Sequence, residues 1–175
     1  MFVDVAELQQ FYASPVGRFA RRLVRQAIRG AWPDVAGLRF AGVGYETPYL
    51  RPLQADGARL GAVMPPLQGG VRWPADGPSR VVMADEESLP FADQSIARLL
   101  LVHALELAER PHAILRECWR VLDGEGRLLI VAPNRMGVWA RFDRTPFGHG
   151  RAYSGKQLAR ALGEHLFEPV GETRA

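Results

Sequence analysis

The sequence predicts an α/β fold, with a mainly parallel sheet that is covered by helices on both faces. From Leu38 onward, short apolar runs alternate with helical patterns, which is the order of strands and crossover helices in a parallel sheet. The run Leu99–Val102 is apolar at every position, as in a central strand buried on both faces. With 175 residues, of which 47% are hydrophobic, we expect one domain spanning residues 1–175.

Two helices, residues 4–13 and 15–30, are predicted before the sheet and would form a helical cover over residues 1–33. Ser14 followed by Pro15 is a favourable N-cap and first helical residue for the second helix. That helix carries an apolar stripe at helical spacing, which we expect to be buried: Phe19, Leu23, Val24 and Ile28.

The other faces of the second helix are basic. Within the first 30 positions, five arginines outnumber two acidic residues and account for the net charge of +3: Arg18, Arg21, Arg22, Arg25 and Arg29. This face is open to three interpretations: a solvated surface, a cover that attracts an anionic substrate, or a contact with nucleic-acid phosphates. We expect the solvated surface and no nucleic-acid partner, because few aromatic residues are interleaved with the arginines.

The predicted core, residues 36–175, continues the alternation. Its strands are residues 38–43, 60–64, 80–84, 97–103 and 127–132. Its helices are residues 49–53, residues 111–122, and one opened by Ser154, where Gln157 completes a capping-box pattern. A sixth strand could begin within residues 167–175, with no room for a seventh. An edge strand left uncovered favours pairing with another chain, here a homodimer.

Composition excludes several classes of protein. A charged fraction of 23% and a hydrophobic fraction of 47% are ordinary for a globular protein and exclude disordered, collagen-like and coiled-coil chains. The single cysteine, Cys118, excludes an internal disulfide, and no metal-ligand cluster is visible. The sequence has no apolar stretch of transmembrane length and no secretory signal pattern, so we expect a cytoplasmic protein without a membrane partner.

Four motifs follow one another between residues 85 and 134. They are an acidic residue before Leu-Pro-Phe (Asp85, then Leu89-Pro90-Phe91), Leu105-Glu106-Leu107, Arg120-Val121-Leu122, and a strand from Gly126 that ends in Pro133-Asn134. In this order and spacing, the sequence resembles the class I S-adenosylmethionine-dependent methyltransferases of the type 11 branch over roughly residues 36–165. The resemblance implies a Rossmann-like sheet, S-adenosylmethionine as cofactor, and methyl transfer to an unidentified small-molecule acceptor.

The resemblance also places a cofactor loop after the first strand. Family members carry an acidic residue followed by three alternating glycines, and the matching positions here are Gly42, Gly44, Glu46 and Pro48. Only Gly44 keeps its residue type. Two outcomes remain open: Glu46 supplies a carboxylate to the cofactor's amino group from a different position, or it fills the pocket and excludes the cofactor. The second outcome would make the chain a catalytically inactive binding or regulatory protein.

Further cofactor contacts are implied at the next strand ends. Met64 stands where the family has an acid that binds the ribose, and its side chain can pack on adenine. Asp85, with Glu86 beside it, matches the acid that receives the adenine amino group, and Leu89 borders that ring. His103 lies at the mouth of the fourth strand. The alternatives are that Asp85 caps a turn and that His103 is a structural histidine.

The acceptor site is expected in the long segment 133–153, because long loops in compact domains tend to be functional. Asn134, Arg151 and Tyr153 are the predicted substrate-binding residues, and the same segment carries Arg135, Trp139, Arg141 and Arg144. If the acceptor must lose a proton, His103 or His149 is the predicted catalytic base. The alternative is a surface loop that covers the end of the sheet.

Overall fold

The computed structural model describes residues 3–134 and 145–173. Its helices are α1 (Val5–Ala13), α2 (Pro15–Ala31), α3 (Thr47–Ala55), α4 (Pro111–Val121) and α5 (Gly155–Gly163), with a short 3-10 helix at Pro146–Gly148. Its strands are β1 (Arg39–Gly44), β2 (Arg59–Met64), β3 (Val81–Met83), β4 (Ile96–Val102) and β5 (Leu122–Val131). Within the described residues, no helix is long and apolar enough to cross a membrane.

The five strands form one sheet in the order β3-β2-β1-β4-β5, and every neighbouring pair is parallel. The predicted parallel α/β sheet is therefore confirmed. In the register of β1 with β4, Phe40 pairs with Arg98 and Gly44 pairs with Val102. The carboxyl ends of β1 and β4 thus meet at the same edge, beside the reversal of strand order where ligands bind in such sheets.

Each face of the sheet carries its own apolar cluster. Phe40, Met64 and Leu100 point into a cluster with α1, α2 and α3, whereas Val43 and Leu101 point into a cluster with α4 and α5. Alternate residues of a strand face opposite sides, and burial of both sets explains why the central strands are apolar throughout.

The two N-terminal helices are confirmed close to their predicted bounds. The side chain of Asp4 accepts hydrogen bonds from the first turn of α1, and that of Ser14 accepts one from the amide of Gly17 in α2. The predicted apolar stripe of α2 was wrong at Phe19, which is 53% exposed. Val24 and Ile28 of that stripe are buried and Leu23 is half-buried, and Gly17 and Ala20 are buried with them, because α2 packs closely on α1, where a Cβ on Gly17 would lie 2.8 Å from Cα of Tyr12.

Toward the C-terminus, the structure differs from the prediction in one element. The capping box of Ser154 and Gln157 is present at the start of α5. Residues 167–173, however, form no strand. Pro169 lacks an amide donor for a strand ladder, and Phe167 packs into the cluster below α5. The predicted sixth strand was therefore wrong for these residues.

Candidate functional site

The carboxyl end of β1 requires glycine at position 44. Gly44 has a φ of +99°, and a Cβ there would collide with the carbonyl oxygen of Val102 and lie 3.0 Å from Cβ of Ala104. The next amide, that of Tyr45, donates to the same Val102 oxygen at 2.7 Å. The tight approach of β1 to β4 thus fixes where the following loop leaves the sheet.

Glu46 is the N-cap residue of α3, and its side chain folds back over β1. A Cβ placed on Gly42 would collide with Cγ of Glu46, so only glycine at position 42 leaves room for this arrangement. The Glu46 side chain therefore lies in the space into which a side chain on residue 42 would extend.

The Glu46 carboxyl group is fully buried. Neither of its oxygens has a hydrogen-bond partner among the other described residues. Burial raises the pKa of this carboxyl well above its usual value, because the charged form loses its hydration and the residue's own backbone compensates only in part. A buried, unpartnered carboxyl group is poised either to hold a proton or to receive a cation.

A second buried group lies at the carboxyl end of β4. His103 has a φ of +51°, an uncommon conformation for a side chain with a Cβ. Its Nδ1 lies 3.2 Å from Oε1 of Glu106, and its Nε2 lies 2.9 Å from the hydroxyl of Tyr12 on α1. Tyr49 of α3 donates its hydroxyl hydrogen to the Tyr12 oxygen at 2.8 Å. Three elements therefore converge on one buried polar chain.

Helix α1 closes this end of the sheet. The amide of Val5 donates to the carbonyl of Gln68 at 2.7 Å, and Nε2 of Gln68 donates to the His103 carbonyl at 3.0 Å. The Tyr12 ring stacks on Tyr45 with centroids 5.6 Å apart. The Phe147 ring lies 4.7 Å from that of His103. Glu46, His103 and Glu106 are each at most 1% exposed as a result.

Unpartnered acceptors accumulate near the carboxyl ends of β1 and β4. Besides the two oxygens of Glu46, Oε1 of Gln68 and Oε2 of Glu106 are buried without a hydrogen-bond partner in the part of the chain described. All four atoms accept hydrogen bonds when the carboxyl groups are ionised. The arrangement therefore suits a ligand that carries positive charge and N–H donors.

The other residues predicted to bind the cofactor lie at or after the ends of β2 and β3, and their surroundings differ from those of Glu46. Asp85 is exposed and its Oδ1 accepts from the amide of Glu87 at 2.9 Å, so it caps its own turn. Glu86 lies beside it, and partial burial raises the pKa of its carboxyl. Leu89 is buried, with its amide donating to Glu117 at 2.8 Å. Met64 is fully buried in the apolar cluster.

The predicted acceptor residues are partly brought together. Asn134 forms a parallel bridge with Tyr153. Arg151 and Tyr153 line a small pocket of about 160 Å³ together with His112. The amide of Arg151 donates to the Glu106 carbonyl at 2.8 Å, which ties this segment to the end of β4. Burial raises the pKa of the Tyr153 hydroxyl.

His149, the other predicted base, is partly buried. Within the described ranges, no hydrogen bond joins its ring to His103 or Glu106. Arg135, Trp139, Arg141 and Arg144 lie outside the described residues. A larger pocket of about 560 Å³, among Arg39, Arg59 and Phe91, lies at the opposite end of the strands.

Sequence reasoning missed Tyr12, Gln68 and Glu106 as members of the site. The spacing of Glu106 three residues after His103 was the one available signal. Tyr12 lies 91 residues from His103, and nothing local to α1 indicates that its aromatic residue reaches β4.

Family membership follows from a direct match. A family model described as a methyltransferase domain matches residues 42–130, just over half of the chain. The chain belongs to the type 11 methyltransferase family. The matched range of this methyltransferase-family chain runs from β1 to β5 and contains Gly42, Glu46, His103 and Glu106.

Solved structures share the fold of this family member. A methyltransferase of Thermotoga maritima, described as a possible histamine N-methyltransferase, covers 94% of this chain and 78% of its own, at 22% identity and a TM-score of 0.72. A methyltransferase of Archaeoglobus fulgidus covers 85% and 69%, at 19% identity and a TM-score of 0.66. Geranyl diphosphate methyltransferase in complex with GPP and sinefungin covers 82% and 59%, at 15% identity and a TM-score of 0.61.

A curated relative, the uncharacterized protein YafS of Escherichia coli strain K12, is 46% identical over 60 residues. That stretch is 34% of this methyltransferase-family chain and 25% of YafS. The chain therefore matches about a quarter of the length of that relative.

Proposed function

We propose that this protein transfers a methyl group from S-adenosylmethionine to a small-molecule acceptor, and that Glu46 holds the ammonium group of the cofactor. Membership of the methyltransferase family supports the methyl donor. The solved neighbours support the fold that such a reaction uses. When bound, the cofactor supplies an electrophilic methyl group on a sulfonium. This chain's residues supply binding, alignment and exclusion of water.

One observation carries the role of Glu46. Its Cγ occupies the position of a Cβ on residue 42 and its carboxyl carbon lies 3.0 Å from that position, and residue 42 is the position at which the family has its acid. This closeness supports the proposal that an acid at the start of α3 replaces one at the end of β1. Its two oxygens have no hydrogen-bond partner among the other residues that the structure describes, and an ammonium group would provide donors to both of them.

The residues fit the cofactor in charge. S-adenosylmethionine carries a sulfonium and an ammonium against a single carboxylate, so its net charge is positive. Near the carboxyl ends of β1 and β4 lie two buried carboxyl groups, Glu46 and Glu106, and four buried acceptor oxygens without a hydrogen-bond partner among the described residues. A hydrogen bond to a charged group contributes about 1.5–3 kcal/mol.

Moving the carboxyl group from position 46 to position 42 tests whether Glu46 holds the ammonium group of the cofactor. Binding of S-adenosylmethionine would be measured by calorimetry for the wild type, for Glu46→Gly, and for the double variant Gly42→Asp with Glu46→Gly. We expect Glu46→Gly to weaken binding about tenfold or more and the double variant to recover most of that loss.

The matched control is Glu7→Gly, which removes an exposed carboxyl group of α1. If Glu46→Gly instead binds the cofactor more tightly than the wild type, Glu46 blocks the pocket. The chain would then be a catalytically inactive, methyltransferase-like binding protein.

Three broader points also remain proposals. We propose that residues 1–175 fold as one unit, that the protein acts in the cytoplasm, and that β5 pairs with a second copy. The pairing is supported by partly exposed apolar residues on β5, an edge strand of the described sheet: Leu128, Leu129, Ile130 and Val131. Light scattering over a range of concentrations would reveal a dimer.

A further inference from the structure

The Tyr12 phenol occupies a defined place between His103 and Tyr49. Glu106, as a carboxylate, can only accept a hydrogen bond, so its contact with Nδ1 of His103 places the imidazole proton on Nδ1. Nε2 then carries a lone pair and accepts from the Tyr12 hydroxyl at 2.9 Å. The Tyr12 oxygen in turn accepts from Tyr49. The chain therefore presents a phenol O–H to a histidine that a carboxylate orients.

We propose that the slot filled by the Tyr12 ring is the acceptor site, and that it takes a phenol whose proton passes to His103. Glu106 is a positioning residue, because it acts through the His103 ring. This inference deepens the proposed function and rests on it. In the closed structure, Tyr12 stands in for the acceptor.

The walls of the slot suit a flat ring. Tyr45 stacks on the Tyr12 ring at 5.6 Å with an interplanar angle of 28°. Phe11 and Tyr49 meet it edge-on at 5.1 and 6.0 Å. Offset-stacked and edge-to-face contacts are the favourable geometries of aromatic rings. At the polar end, Tyr49 donates to the ring's oxygen while His103 accepts its proton.

The slot also lies beside the proposed cofactor site. Tyr45, which stacks on the Tyr12 ring, is adjacent in sequence to Glu46, and both are buried at the start of α3. An acceptor in the slot would therefore lie next to the group proposed to hold the methyl donor. Proximity of this kind is the main requirement of an in-line displacement.

The chemistry balances without a further reactant. The phenol oxygen attacks the methyl carbon, a C–O bond forms, and the C–S bond breaks with its electron pair on sulfur. The phenol proton goes to Nε2 of His103. The resulting imidazolium is stabilised by the Glu106 carboxylate and loses its proton to water when the methyl ether leaves. Such a general base contributes typically about 10²–10⁴-fold to a rate.

The first test vacates the slot and needs no cofactor. Tyr12→Ala would be titrated with 4-methylphenol and with 1,4-dimethylbenzene, which has the same shape but no hydroxyl. Binding would be followed through the Nε2 resonance of His103 by ¹⁵N NMR. We expect 4-methylphenol to shift that resonance and to bind about tenfold or more tightly than the hydrocarbon. Tyr12→Phe is the matched control, because its ring still fills the slot.

A second variant guards against loss of folding. Tyr12→Leu keeps more apolar volume than Tyr12→Ala and removes the same hydroxyl, so either folded variant serves. Equal binding of the phenol and the hydrocarbon, or an unmoved Nε2 resonance, would overturn the proposal. Glu106→Leu removes the acceptor for the Nδ1 proton, so the imidazole should lose its fixed tautomer, whereas Glu106→Gln keeps an acceptor oxygen and should retain it. An unchanged tautomer in Glu106→Leu would remove Glu106 as the positioning residue.

A last experiment distinguishes failure of the acceptor assignment from failure of the proposed function. S-adenosylmethionine binding to the same Tyr12 variant would be measured by calorimetry, and labelled methyl transfer to 4-methylphenol would be followed. Transfer that falls about 100-fold in His103→Phe supports the proposal. Cofactor binding without transfer to the phenol overturns the acceptor assignment alone. Absence of cofactor binding overturns the proposed function, and the acceptor assignment falls with it.

Discussion

Binding of S-adenosylmethionine should release a proton from Glu46. In the free protein this carboxyl group is fully buried, and burial raises its pKa well above the usual value of 4.5. Below that raised pKa the group carries a proton. To hold the cofactor's ammonium it must be ionised, so binding selects the deprotonated form and expels the proton to solvent.

The number of protons released equals the number of carboxyl groups that ionise when the cofactor binds. One carboxyl group that is protonated when free and ionised when bound releases about one proton per cofactor. The dissociation constant should then fall about tenfold for each pH unit, for as long as the pH stays below the raised pKa. The useful range is about pH 5.5–7.0, because amino groups of the α type stay charged there.

Calorimetry in two buffers of different ionisation enthalpy measures the released proton directly. We expect close to one proton for the wild type and close to none for Glu46→Gln, which keeps the shape of the side chain but cannot ionise. Glu7→Gln, at an exposed carboxyl group of α1, should leave the proton count unchanged. Wild-type binding without proton release, or equal release by Glu46→Gln, would refute the reasoning.

Three further predictions concern stability and the adenine contact. Because the folded pKa of Glu46 is raised, the folded state binds more protons than the unfolded one above pH 4.5, so stability should fall as pH rises by up to about 1.4 kcal/mol per unit. Denaturant titrations at pH 5.5 and 7.0 should show this loss in the wild type and a smaller one in Glu46→Gln. Gly44→Ala should cost at least about 1–3 kcal/mol, since φ is +99° and the added Cβ meets Val102; an unchanged denaturation midpoint would contradict the close approach of β1 to β4. Asp85→Ala should weaken cofactor binding by about 1–3 kcal/mol in calorimetry if Asp85 receives the adenine amino group, and an unchanged affinity would leave it only its observed role as a turn cap.

The sequence by itself determined the order of the five helices and five strands described above and the family, but it wrongly predicted a sixth strand. Helix ends are set by neighbouring residues, so Ser14 with Pro15 and Ser154 with Gln157 placed the starts of α2 and α5 correctly. Burial on both faces makes a central strand apolar throughout, so Leu99–Val102 indicated a parallel sheet before any partner strand was known. The motifs from Asp85 to Asn134 were sufficient for the type 11 family.

Only the tertiary structure decided which side chains meet. The sequence left open where the Glu46 carboxyl group lies, because that depends on its side chain folding back over Gly42. Phe19 followed the helical spacing of a buried residue and is exposed, because α2 packs closely on α1 around Gly17. The contact of Tyr12 with His103 joins residues 91 positions apart. Local propensity and periodicity carry no information about such pairs, since the topology of the sheet and the closure of α1 bring them together.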